Sequence, residues 1–274
     1  MQLRRLLLGL VLVLPLLAGR GEAAEVDDVL TGLSPQQQDV ALFVLGNTVF
    51  AAYHVASEAL IDDLDLPMLP ASATILATIL MLPDEPDPLR DELLLAAIDG
   101  WQLALDAEAD GRPVAGFWRR PGFDARSYAE AVCLIIGSDP AGFAEYARDR
   151  GFAEQRIEGC SQSFAGAEAG WLRLLEPHLV PEDSEGTGLR SIRLRFARAL
   201  GFDDITEFLA RTGVVAQAMS DLAGTIRLAR DLRLSFRSCG VAQTRWSPGT
   251  GEMTVCYELV RAMEAMITEA LSNR

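Results

Sequence analysis

The sequence predicts a single, mainly α-helical (α+β) domain that ends in a short disulfide-linked β-hairpin. Apolar residues recur at helical spacing through most of the chain, first over residues 43–69. Near the C-terminus the period changes, and two short stretches, 234–239 and 252–256, are predicted to be strands. Hydrophobic residues make up 50% of the 274 positions, which is enough for a sizeable core.

Residues 1–23 have the pattern of a secretory signal peptide. Arg4 and Arg5 precede an apolar run, and small residues follow it up to Ala23. The run is too short to anchor the chain stably in a bilayer. We therefore expect cleavage after Ala23, a mature domain at 24–274 without stable membrane insertion, and a periplasmic or secreted location.

The first long helix is predicted to begin at Ser34, the N-cap, with Pro35 at the first helical position, and to end near Asp63. An acidic loop over 180–188 is the one candidate for an internal linker. The two alternating stretches, joined through a turn at 247–251, are predicted to pair as a hairpin. The remaining helices are predicted at 71–82, 89–109, 124–136 (ended by Gly137), 139–148, 154–175, 189–200, 203–211, 214–232 and 257–271.

The formal net charge of −15 limits the partners. A chain with this charge repels nucleic acid and anionic lipid. We expect no nucleic-acid partner, and a protein or peptide as the binding partner.

The chain has four cysteines, an even number that favours two disulfides in an oxidising compartment. Three pairings are possible. We favour the local pairs Cys133–Cys160 and Cys239–Cys256, because each pair brackets a helix-turn or the hairpin. A cysteine-rich metal site is the alternative, but the sequence has no C-x-x-C.

His54 and Glu58 are the candidate metal-ligating pair. Four residues apart in the first helix, they lie on one helix face, the spacing by which H-E-x-x-H presents two ligands to a metal ion. Here the stretch reads His-Val-Ala-Ser-Glu. Asp62, Asp63 and Asp65 follow, and this acidic cluster is interpreted as a solvated face, with a weak Ca²⁺ site as the alternative.

Several stretches together resemble a bacterial family of zinc metallopeptidases of the HExxH type, a domain of unknown function. The resemblance spans about residues 35–270 and implies a helical, zincin-like domain. The residues that carry it are F-V-L-G-N at 43–47, Phe50, Y-H at 53–54, A-L-I-D at 59–62, L-D-L-P at 64–67, C-L and G-S-D-P around 133–140, Cys160, Trp171, L-L-E-P-H at 174–178, C-G at 239–240 and C-Y-E-L at 256–259.

The departures from the family pattern fall where the chemistry would be. The family's general base is replaced by Val55, and its second histidine by Glu58. Its downstream acidic ligands fall on Ser72 and Ala73, and residues 117–126 lack the family's histidine. At most His54 and Glu58 remain, whereas a catalytic zinc normally has three protein ligands.

The resemblance and its departures together predict a pseudoenzyme. We expect no catalytic residue among the degenerate positions His54, Val55, Glu58, Ser72 and Ala73, no cofactor, and a role as a binding or regulatory module. The family's active-site cleft is expected to be present, lined by small and apolar side chains. The alternative is an active metallopeptidase or other hydrolase with an atypical zinc site built on His54 and Glu58.

Overall fold

The structure, a computed structural model, describes residues 29–69, 71–82, 87–181 and 189–273. It is mainly helical with one small sheet, which confirms the predicted fold class. The helices are α1 (Pro35–Asp63), α2 (Ser72–Met81), α3 (Pro88–Ala109), α4 (Ala125–Ser138), α5 (Ala144–Asp149), α6 (Glu154–Leu175), α7 (Asp203–Thr212), α8 (Val214–Thr225) and α9 (Tyr257–Ser272). The strands are β1 (Ile192–Phe196), β2 (Leu232–Arg237), β3 (Thr244–Ser247) and β4 (Glu252–Cys256).

The start of α1 follows the predicted capping chemistry. The Gln37 backbone N–H donates to the Ser34 hydroxyl, and the Ser34 N–H donates to the Gln37 side chain, which completes a capping box. Pro35 occupies the first turn, where its missing N–H would have had no intrahelical partner. Local sequence therefore determines where this helix begins.

The centre of the fold is α1, which packs against α2, α3, α8, α9 and the β3–β4 pair. Between residues 41 and 61 every side chain is buried except Leu42 and Glu58, which are partly buried. Among the described residues α1 is also the one helix long and apolar enough to cross a membrane, but 89% of its most apolar stretch is buried inside the protein. That burial is typical of a core helix.

The sheet differs from the predicted hairpin. Its strand order is β1-β2-β4-β3, with β2 parallel to both β1 and β4 and only β3 antiparallel to β4. The two predicted strands are therefore neighbours, but the prediction that they form a hairpin is wrong. The hairpin partner of β4 is β3, a short strand within the predicted connection.

Two helix predictions in this region were also wrong. Residues 189–200 contain β1, where Ile192, Leu194 and Phe196 alternate with exposed arginines, and α8 ends at Thr225 instead of continuing to 232. In both places pairing along β2 outweighs local helical spacing, because β2 lines up with β1 on one side and β4 on the other.

Both favoured disulfides are present, Cys133–Cys160 and Cys239–Cys256. The first joins α4 to α6, and the second joins the segment after β2 to the end of β4. Gly137 was predicted to end α4 but lies inside it. A Cβ at Gly137 would lie 2.1 Å from the Cys160 carbonyl oxygen, so this glycine allows the close approach of α4 and α6.

The predicted signal peptide at 1–23 and most of the acidic loop at 180–188 lie outside the described residues. The single mature domain at 24–274 stays a prediction.

Candidate functional site

The His54 side chain lies in an aromatic enclosure. Its ring centroid is 5.0 Å from that of Phe123 and 5.5 Å from that of Phe117, in an edge-on arrangement with the latter. Phe50 and Trp118 complete the walls, stacked on each other at 6.5 Å. All these side chains are at most 4% exposed, so His54 does not face an open cleft, contrary to the expectation that the cleft would survive.

Burial and charge keep the imidazole of His54 neutral. Removal from water and, secondarily, the charge of Arg120 lower the pKa of His54 from 6.5 to about 3. Within the described part of the chain its Nδ1 has no hydrogen-bond partner. His54 is thus a buried core residue with one unpaired ring nitrogen.

Glu58 is bound by a cation from a distant loop. The Arg120 guanidinium, just after the 3₁₀ turn Gly116–Arg119, donates from Nη2 to Glu58 Oε1 and from Nη1 to the Thr244 hydroxyl of β3 at 2.7 Å. Burial raises the pKa of Glu58, and the charge of Arg120 opposes that rise. Arg120 thus places a positive charge beside both members of the candidate pair.

The other degenerate positions are occupied by groups that serve packing or capping. Val55 is fully buried and has no acid–base chemistry. The Ser72 hydroxyl accepts the Leu69 N–H at 2.8 Å before α2, while the Ala73 side chain packs against the core. The Thr74 hydroxyl donates to the Gly122 carbonyl at 3.3 Å, which ties α2 to the loop that follows Arg120.

The acidic cluster at the end of α1 is partly solvated, since Asp62 and Asp65 are exposed, and two of its carboxylates also accept hydrogen bonds from other segments. Arg230 donates twice to the Asp63 carboxylate, at 3.0 and 2.6 Å. The Trp246 indole donates to Asp62 at 3.0 Å, and Arg230 lies over the Trp246 ring. These contacts fasten α1 to the loop before β2 and to β3, and they occupy oxygens that a Ca²⁺ ion would need.

Over the described ranges, the one group of three or more His, Cys, Asp or Glu ligand atoms that lie within 4.8 Å of one another is Cys239, Cys256 and Glu258. Its two sulfurs are joined in a disulfide. The Glu258 carboxylate already accepts the Ser238 hydroxyl and the N–H groups of Cys239 and Gly240. This group is a structural cap, since a disulfide leaves no thiolate to bind a metal.

The residues around His54 do not fit a catalytic zinc. A neutral, unpaired imidazole nitrogen is a suitable first ligand, but a zinc hydrolase needs two more protein ligands and a carboxylate base near the metal-bound water. Glu58 is the nearest candidate, and its Oε1 is bound to Arg120. A divalent cation here would also meet the repulsion of the guanidinium, which already lowers the pKa of His54.

Arg120 is the site residue that the sequence analysis missed. It lies within the stretch 117–126 that was noted for its lack of a histidine. A signal was available, because two adjacent arginines, Arg119 and Arg120, stand there between buried aromatic residues. The pairing with Glu58 spans 62 positions of sequence, so spacing alone does not reveal it.

A family model described as "Putative metallopeptidase" matches residues 24–175 and 199–274, which is most of the chain. The internal unmatched part, 176–198, contains β1. Comparisons with curated proteins and with solved structures found no match.

Proposed function

The chain belongs to this metallopeptidase family, and from that premise we propose that it is a secreted, non-catalytic member that acts as a binding or regulatory module. The observation that carries the proposal is the Arg120–Glu58 ion pair beside His54. A side-chain cation neutralises Glu58, the carboxylate one helical turn from His54.

The charge balance supports the proposal. In a zinc hydrolase the metal supplies the positive charge that activates water and stabilises the developing oxyanion. Here Arg120 supplies one positive charge but offers no open coordination position, and guanidinium does not give up its proton in proteins. Val55 cannot act as a general base, so this position offers no group that could take a proton from water.

The proposed location has two supports. Both disulfides favour an oxidising compartment. The family match begins at residue 24, the first residue of the predicted mature chain. A periplasmic or secreted address follows as part of the proposal.

Unpaired atoms favour a second candidate, a hydrolase with an atypical metal site. His54 Nδ1 and Glu58 Oε2 are both buried without a hydrogen-bond partner in the described residues. A metal ion could use them if Arg120 moved away from Glu58. This alternative requires metal binding and chelator-sensitive hydrolysis that both depend on His54.

The test uses the mature protein, residues 24–274, with casein and a peptide mixture, each assayed with added Zn²⁺ and with a chelator. We expect no hydrolysis above the blank under either condition. A matched His54→Ala variant identifies contamination by another protease. Chelator-sensitive hydrolysis that disappears in His54→Ala would overturn the proposal in favour of the second candidate.

A further inference from the structure

One face of the sheet carries polar and basic side chains. The register pairs Arg237 of β2 with Cys256, and Arg245 of β3 with Thr254, so these four residues lie on the same face. The opposite face, which includes Phe236 and Val255, is fully buried in the core. The polar face therefore points away from α1 and the His54 site.

A cavity of about 250 Å³ opens on this face. Arg237 and Arg245 stand on either side of it, because β4 lies between β2 and β3. The rest of its wall is made by Ser238, Gln243, Thr254 and the Cys239–Cys256 disulfide. The wall thus combines two guanidinium groups with two hydroxyls and a carboxamide, and it contains no carboxylate.

Polar atoms in the wall lack partners. Arg237 Nε and Thr254 Oγ1 are buried without a hydrogen bond to any described residue, and Thr254 is only 1% exposed. Among the residues that the structure describes, neither Arg237 nor Arg245 forms a salt bridge, although other arginines do. A buried donor left unpaired is unfavourable, so a bound acceptor would be favoured here.

Nearby carboxylates have donors of their own. Glu258 accepts from Ser238, Cys239 and Gly240, and Glu252 accepts the Ser235 hydroxyl at 2.8 Å. Arg233 and Arg195 extend the same face toward β1, with Arg195 paired in register to Ser235. This face is therefore basic in a protein whose formal charge is −15.

We propose that this cavity, the sheet pocket, binds an oxyanion, namely the carboxylate or phosphate group of a small ligand or peptide terminus. Guanidinium forks match the geometry of both groups, and hydrogen bonds to charged groups are the strong ones. The Thr254 hydroxyl, which has no hydrogen-bond partner among the described residues, can donate to a further oxygen. The assignment does not depend on the state of the His54 site.

The experiment follows backbone amide NMR shifts of the mature protein with three probes: inorganic phosphate, N-acetylglycine and N-acetylglycinamide. We expect saturable shifts at Ser238, Gln243 and Thr254 with one or both anions and none with the neutral amide. The anion that binds more tightly identifies the group the pocket prefers.

Variants separate a specific pocket from general attraction to a basic face. Arg237→Ala and Arg245→Ala should each weaken binding by about tenfold or more, as expected for one charge-assisted hydrogen bond. Arg233→Ala removes the same charge from β2 outside the pocket and should change affinity less than about twofold. The proposal is overturned if neither anion shifts these amides, or if Arg233→Ala weakens binding as much as the pocket variants.

Discussion

At the scale of single residues, one guanidinium sets the chemistry of the candidate site. Arg120 reaches Glu58 on α1 and Thr244 on β3, and its charge helps to lower the pKa of His54. The pair is mostly shielded from water, with side-chain exposures of 28% for Arg120 and 19% for Glu58. Removing one partner therefore leaves a poorly solvated charge.

The substitution Arg120→Met should lower the free energy of unfolding by about 3 kcal/mol, because it strands the Glu58 carboxylate. Adding Glu58→Gln should recover most of that loss, since no charge then remains unpaired. Urea unfolding at pH 7 measures both. Arg112→Met, which breaks exposed pairs with Asp110 and Glu269, is the control and should cost under about 1 kcal/mol. Equal stability of the single and double variants would contradict this account of the pair.

The buried His54 should make the fold sensitive to acid. Its pKa falls from 6.5 to about 3 on folding, so between these values the unfolded chain binds the extra proton. This contribution to stability is complete above pH 6.5 and is lost, at about 1.4 kcal/mol per pH unit, as the pH falls toward 3. Glu58 acts in the opposite direction, because its pKa is raised in the folded protein.

Comparison with His54→Leu isolates this effect, because the wild type and the variant have the same carboxylates. Between pH 7.5 and 4.5 the wild type should lose about 3 kcal/mol more stability than the variant. Denaturant unfolding at several pH values measures the difference. Parallel stability profiles for the two proteins would show that His54 does not change its proton affinity on folding.

At the scale of elements, close helix contacts depend on glycines. Gly137 allows α4 to meet α6 next to the Cys133–Cys160 disulfide, and a Cβ there would clash with the Cys160 carbonyl. Gly46 does the same for α1 and α3, with the Leu93 carbonyl 2.2 Å from the site of a Cβ. Backbone atoms form these contacts, so the neighbours cannot yield as a flexible side chain would.

Gly137→Ala should destabilise the protein by about 1–3 kcal/mol, the usual result of overpacking, despite the better helix propensity of alanine. Gly159→Ala, in α6 with nothing within 4 Å of the new Cβ, is the matched control and should be neutral or stabilising by up to about 1 kcal/mol. Thermal unfolding of both variants tests this. A Gly137→Ala variant as stable as Gly159→Ala would mean that α4 and α6 are not held this closely.

The helices were easier to predict than the sheet, for a physical reason. α1 and α6 begin and end within one residue of their predicted limits, because caps, prolines and apolar spacing are local signals. β1 was predicted as a helix, since its pairing with β2 crosses about 40 positions and leaves no local mark beyond the alternation of Ile192, Leu194 and Phe196. Parallel pairing of β2 with β4 was missed for the same reason.

The candidate site divides in a similar way. The expected replacement of the family's general base by Val55 and of its second histidine by Glu58 follows from the resemblance, and both positions lie within one helix. The residues that surround His54 and Glu58 cannot be predicted from this helix alone. Phe117, Arg120 and Phe123 come from another segment of the chain. Arg237 and Arg245 likewise meet only through the strand order.

At the scale of the whole molecule, this metallopeptidase-family chain carries the two arginines of the sheet pocket on the face opposite the buried side of the sheet. The net charge of −15 makes this basic face the place where an anionic ligand would be attracted. The proposed binding at the sheet pocket and the proposed lack of catalysis at the His54 site are compatible because they involve opposite faces of the sheet.

Export should remove the N-terminal segment. Expressed with its natural start in a bacterial host, the chain should lose residues 1–23 and be recovered in the periplasmic or culture fraction, with Ala24 as its first residue. Intact-mass measurement of each fraction tests this, and the same chain begun at residue 24 is the cytoplasmic control. An uncut chain in the cytoplasmic fraction would contradict the proposed location.

The most direct test of the central claim is the zinc content of the mature protein after it is saturated with Zn²⁺ and dialysed against metal-free buffer. Arg120 already neutralises Glu58, and His54 belongs to no group of three ligand atoms among the described residues. The account therefore predicts far less than one zinc per chain, with no difference between the wild type and His54→Ala. Close to one zinc per chain in the wild type, lost in His54→Ala, would contradict it.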